Sequence, residues 1–145
     1  MCLRTITRKV FWYDSERDGI CYKVFGKESV FKKGSYTKKI RPIYKLFKPS
    51  DFYVDFNVMY EANKTPLKTE AHKEVYVSGF HGFLNKDDAK RYRDYHHSYF
   101  GPDYVTIIEC RYFDAGVIGT QVVGGKFFNN VIVADKLMLL MEIDV

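Results

Sequence analysis

Val105-Thr106-Ile107-Ile108-Glu109-Cys110 opens the stretch that decides the fold, and the segments 116–123, 127–134 and 137–143 carry the same character to the end of the chain. All four are rich in β-branched and aromatic residues and too short to read as helices, so they are strands. Gly124-Gly125 supplies a hairpin turn between the second and third, since two glycines tolerate the positive φ of a two-residue loop. Asp135-Lys136 reads as a further turn before the last strand.

Upstream, Ile20-Cys21-Tyr22-Lys23-Val24-Phe25 is bounded by Gly19 and Gly26 and reads as another strand. Residues 40–47 form an edge or irregular strand, because Pro42 has no amide to donate. In 52–60, Phe52, Val54, Phe56 and Val58 alternate with Tyr53, Asp55, Asn57 and Met59, which predicts a strand with one face on the core. Residues 61–73 are polar, contain Pro66 and show no period, as in a surface loop, and 75–80 return to strand. The principal helix is predicted over about 86–97, with Asn85 capping the first amides and Asp87 and Asp88 at the positive end of the dipole. Ala89, Tyr92 and His96 fall on one stripe, and Gly101-Pro102 ends the unit. Fold class is therefore α+β: a mainly antiparallel sheet with one helix, in a single domain over 1–145.

With 46% apolar and 17% aromatic residues the chain has ample core material, which excludes a disordered protein. No run of about 18 apolar residues is present and the first ten residues lack a secretory stretch, so neither a membrane nor an exported location is expected. Cys2, Cys21 and Cys110 are odd in number and far apart, which excludes a disulfide framework or a CxxC site, and Cys21 and Cys110 read as small core residues.

Charge is distributed unevenly. Residues 1–50 hold 13 Lys and Arg against 4 Asp and Glu, net +9, whereas 51–97 carry −1 and 98–145 carry −3. The source is Lys32, Lys33, Lys38, Lys39, Arg41, Lys45 and Lys48, without an acid from Ser29 to Ser50, interleaved with Phe31, Tyr36, Tyr44 and Phe47. Lys32, Lys33, Tyr36, Lys38, Lys39, Arg41, Tyr44, Lys45 and Lys48 are the candidate partner-binding residues, suited to an acidic protein surface or, through phosphate neutralisation and base stacking, to nucleic acid.

Catalytic signals are weak by comparison. His81 lies between strand and helix, and Glu109 and Glu142 interrupt apolar strands, so these three form the weaker, enzymatic alternative; a structural histidine and solvated carboxylates are the favoured explanation. His72, His81, His96 and His97 show no HxH, HExxH or Cys–His spacing, so no metal is expected. Val123-Gly124-Gly125-Lys126 is neither a P-loop nor a dinucleotide fingerprint, and no cofactor is expected.

Ser78-Gly79-Phe80-His81-Gly82-Phe83-Leu84, followed by Lys86-Asp87-Asp88-Ala89-Lys90-Arg91-Tyr92, has the form GFHxF…DAxxY. With Met1-Cys2-Leu3, Cys21-Tyr22-Lys23-Val24 and Ala134-Asp135-Lys136-Leu137, it resembles small uncharacterised proteins of bacteriophages and Bacteroidetes. That resemblance implies a phage setting: the host cytoplasm or association with the virion, as an auxiliary capsid component or an inhibitor of a host factor. The strand leading into an AxxY helix is also similar to the ADP-ribosyltransferase-like fold. Where that family has Arg or His on its first strand, this chain has Tyr22 and Lys23, and neither Glu109 nor Glu142 lies in the family's acidic motif. The first expectation is thus a non-catalytic interaction protein, with an ADP-ribosyltransferase-like enzyme and a nucleic-acid binder as alternatives.

Overall fold

In the computed structural model, residues 3–43, 52–100 and 104–143 are described, with the backbone alone for 96–100. The strands are β1 (Thr5–Lys9), β2 (Gly19–Lys32), β3 (Ser35–Arg41), β4 (Met59–Glu61), β5 (Pro66–Lys68), β6 (Val75–Val77), β7 (Phe80–Phe83), β8 (Val105–Val123) and β9 (Lys126–Ile143), with helix α1 (Lys86–Phe100) between β7 and β8. All strand pairings between these elements are antiparallel. The mainly antiparallel sheet with one helix is therefore observed.

The frame is the hairpin of β8 and β9, 19 and 18 residues long, joined by Gly124 and Gly125 at φ 57° and 76° as a two-residue turn demands. β2 pairs with the first half of β8, β1 with its second half, and β7 and β4 flank β9. The pairings β8–β2, β2–β7, β7–β9 and β9–β8 form a closed circuit, and one of its links is slight: β2 meets β7 only at Tyr22↔Phe83. Strands this long remain in contact because the register slips at Glu109/Cys110, Ala115/Val117 and Gly119/Gln121, and such bulges bend the ladder.

Two clusters make the core, and strand alternation sorts residues between them. Cys21 and Phe25 of β2 lie with Ile108, Cys110 and Tyr112 of β8, Phe80 of β7 and Leu137 and Leu139 of β9. The opposite face carries Val24, Ile107, Phe83, Val131 and Val133, covered by Ala89 and Tyr92 of α1. Phe83, Tyr92 and Phe128 pack ring to ring at 5.2–5.8 Å, which fixes the helix on the sheet. Asn85 Oδ1 accepts from the Asp87 amide at 2.9 Å, the expected cap.

Several expectations are corrected. Asp135-Lys136 is no turn: Asp135 takes Lys64 (2.8 Å) and Lys136 takes Asp114 (3.7 Å), and these partners let a polar pair remain inside one continuous β9. Residues 105–110 and 116–123 are likewise a single strand. Residues 52–60 do not form one strand; only Val54 and Phe56 make isolated bridges before β4, because Asn57 at φ 61° reverses the alternation. Val54 is buried, but Phe52, Phe56 and Val58 are exposed. The loop expected at 61–73 contains β5, paired with β6. Of the strand expected at 40–47, Ile40 and Arg41 end β3 and 44–47 lie outside the described residues.

Candidate interaction surface

β2 spans roughly 45 Å at about 3.3 Å per residue, and only its first half belongs to the sheet body: Gly19 to Gly26 face β8 from Tyr112 to Val105. Beyond that, its ladder partner among the described residues is β3 alone, through Glu28↔Lys39, Ser29↔Lys38, Val30↔Thr37, Phe31↔Tyr36 and Lys32↔Ser35. Residues 28–39 are thus a two-stranded ribbon projecting from the sheet. Its foot is held by Ile40, buried and bridged to Val54, and by the Lys27 amide donating to the Tyr104 carbonyl at 2.7 Å.

Alternation sorts the side chains of the ribbon as well. Phe31, Ser29, Tyr36 and Lys38 share one face; Val30, Lys32, Ser35, Thr37, Glu28 and Lys39 share the other. Phe31 and Tyr36, 61% and 75% exposed, lean together with centroids 5.1 Å apart and planes at 57°. At the foot Glu28 pairs with Arg41 (3.7 Å) and Lys27 with Glu142 (2.5 Å). Lys32, Lys33, Lys38 and Lys39 are exposed and have no carboxylate partner among the described residues.

The two-residue turn at the tip is Lys33-Gly34, with φ of 52° and 81°. Gly34 suits such a turn, whereas a lysine in the left-handed region costs about 1–2 kcal/mol that Asn or Gly would largely avoid. Backbone strain at an exposed charged tip points to a role for the charge.

Of the candidate partner-binding residues, Lys32, Lys33, Tyr36, Lys38, Lys39 and Arg41 are gathered on this ribbon; Tyr44, Lys45 and Lys48 lie outside the described residues. Phe31 completes the surface. The signal that could have singled it out was Lys33-Gly34 read as a hairpin turn, which makes Phe31 and Tyr36 direct partners.

His81, Glu109 and Glu142 are not brought together: no hydrogen bond or ion pair among the described residues joins any two of them. His81 sits on β7 opposite Val133, its Nδ1 3.1 Å from the Gly79 carbonyl and its Nε2 buried without a partner among the described residues. Burial, then the nearby Lys23 charge, pulls its pKa down to about 3, so the ring is neutral. Glu109 lies beside Tyr22 on the helix side, and Glu142 is taken by Lys27. No group of three or more His, Cys, Asp or Glu among the described residues is arranged to hold an ion, and no helix there is long and apolar enough to cross a membrane.

Against models of protein families, curated proteins and solved structures, the chain finds no match.

Proposed function

We propose that this chain is a non-catalytic interaction module that docks through the β2–β3 ribbon on an acidic surface of a protein partner. The observation that carries the reading is the projecting ribbon itself, with an exposed Phe31–Tyr36 pair on one face and four exposed lysines spread over both faces and the tip, unmatched by carboxylates among the described residues. Lysines around aromatic anchors give long-range attraction together with a contact worth keeping, since rings supply much of the energy at protein interfaces. The resemblance to phage proteins supplies the setting, in which the partner is a virion component or a host factor.

Nucleic acid would feel the same field. Two features favour protein. The two rings lie 5.1 Å apart and tilted at 57°, so each covers part of the other instead of standing free to stack with a base on both sides. The projecting cations are all lysines, which act as point charges and lack the planar fork with which arginine reads phosphate or guanine.

The experiment has two arms. Lys38→Glu with Lys39→Glu should weaken binding to a purified partner, first captured from phage-infected cells, by at least tenfold without moving the melting temperature. The second arm titrates short single-stranded DNA and RNA near physiological salt against the wild type, Tyr36→Ala and Tyr44→Ala. Micromolar binding that collapses in those variants defeats the protein-docking reading in favour of nucleic acid.

A further inference from the structure

Cys21 of β2 and Cys110 of β8 are direct partners across the ladder, both buried and both free thiols. Opposed residues of antiparallel strands hold their Cβ atoms about 4.5–5.5 Å apart, and a disulfide takes about 3.5–4.5 Å, so closure asks for a strand shift of roughly an ångström. The Cys110 Sγ donates weakly to the Ile108 carbonyl at 3.5 Å. Lys23, two residues along β2, places its ammonium on the same side, where Nζ donates to the His81 carbonyl at 2.8 Å.

The dithiol lies at the weakest link of the circuit. β2 is paired with β8 at eight positions but with β7 at one, Tyr22↔Phe83, next to Cys21. Further ties across that seam are the Lys23–His81 hydrogen bond, the packing of Cys21 Sγ on bare Gly82, where a Cβ would come within 2.6 Å, and the shared core cluster of Phe25 and Phe80. Parting β2 from β7 breaks few bonds and uncovers the sulfur of Cys21 while β2 remains on β8, so the two cysteines stay opposed.

We propose that Cys21 and Cys110 are a reversible redox site, oxidised to a cross-strand disulfide by a low-molecular-weight disulfide when the β2–β7 seam opens. The Cys21 thiolate attacks one sulfur of the small disulfide, whose S–S bond breaks and whose other half leaves as a thiolate and takes a proton. The Cys110 thiolate then attacks Cys21 Sγ, the protein S–S bond forms, and the second small thiol is expelled and protonated. The protein loses two electrons and two protons, and the small disulfide gains both. While the seam is shut, burial and the neighbouring Cys21 hold the Cys110 thiol well above its ordinary range, protonated and inert.

The test uses the full chain with Cys2→Ser, so that two thiols remain, incubated natively with oxidised glutathione, trapped by alkylation and weighed intact. A species lacking two hydrogens, with peptides containing 21 and 110 linked, is expected, and Cys110→Ser should stop at the glutathione adduct. Oxidation rates are measured in urea well below the unfolding transition. A rate nearly independent of urea marks local opening of the seam. Persistence of two free thiols, an adduct that never resolves in the parent chain, or a rate that climbs with urea in step with global unfolding would each overturn the proposal.

Discussion

Replacing His81 by Gln should flatten part of the acid dependence of stability, and the structure fixes how much. The residue is 9% exposed, Nε2 has no partner among the described residues, and the native pKa is about 3, against about 6.5 in an unfolded chain. The native state therefore refuses a proton that the unfolded state accepts. Stability from this group is complete above about pH 6.5 and declines as pH falls toward 3. At pH 5 the native ring is still almost wholly neutral, so the loss is set by protonation of the unfolded chain and amounts to about 2 kcal/mol. Urea unfolding at pH 7.5 and pH 5.0 measures it. The wild type should lose about 2 kcal/mol more than His81→Gln across that interval, while the other histidines and the carboxylates cancel in the comparison. The variant starts lower at pH 7.5, because the amide meets the same dry surroundings with imperfect partners. Equal pH dependence in the two proteins would refute the buried neutral imidazole. Retained fold and melting point with loss of an activity on NAD or another substrate would refute the structural role altogether.

Two further perturbations probe the frame and the ribbon. Lys33→Asn relieves the left-handed strain at φ 52°, so unfolding free energy should rise by roughly 0.5–1 kcal/mol while partner affinity falls, and a loss of stability would contradict the turn geometry. Gly119→Ala places a Cβ 2.3 Å from the Thr5 carbonyl oxygen, which should cost about 1–3 kcal/mol in thermal or urea unfolding and raise amide exchange along β1; unchanged exchange there would argue against the β1–β8 pairing.

The sheet was legible because burial on both faces leaves a run of β-branched and aromatic residues that only a strand accommodates, as at 105–110 and 127–134. The helix was legible from Asn85, the two aspartates and the Ala89–Tyr92 spacing. What misled was punctuation. Asp135-Lys136 has the composition of a turn, and the carboxylate and ammonium that keep it extended, Asp114 and Lys64, are 22 and 71 residues from the partners they hold. Asn57 interrupts a run whose alternation was otherwise regular, and nothing local distinguishes an asparagine that will adopt positive φ from one that will not. The basic segment was recognisable as a charge run, but its projection was not: that depends on where β8 stops beside β2. The opposition of Cys21 and Cys110, 89 positions apart, is a matter of register and leaves no trace in spacing.

The two halves of β2 obey the same alternation with opposite consequences. From Gly19 to Gly26 it sends Cys21 and Phe25 to one core cluster and Val24 to the other, the arrangement that burial rewards. From Lys27 to Lys32 the pattern continues, yet neither side has a core to meet, and Phe31 and Tyr36 stand in water. An isolated two-stranded ribbon is marginal in water and an exposed apolar strand invites edge-to-edge pairing, so a sequence under pressure for stability alone would shorten the hairpin or make it polar throughout. This chain keeps both rings, with Lys38 on their face of the ribbon, Lys32 and Lys39 on the opposite face and Lys33 at the tip, charges that hold identical copies apart. A strand that is core for half its length and solvated for the rest, with aromatic pairing in the outer half, is what the proposed docking role requires, since there a partner would cover the outer half.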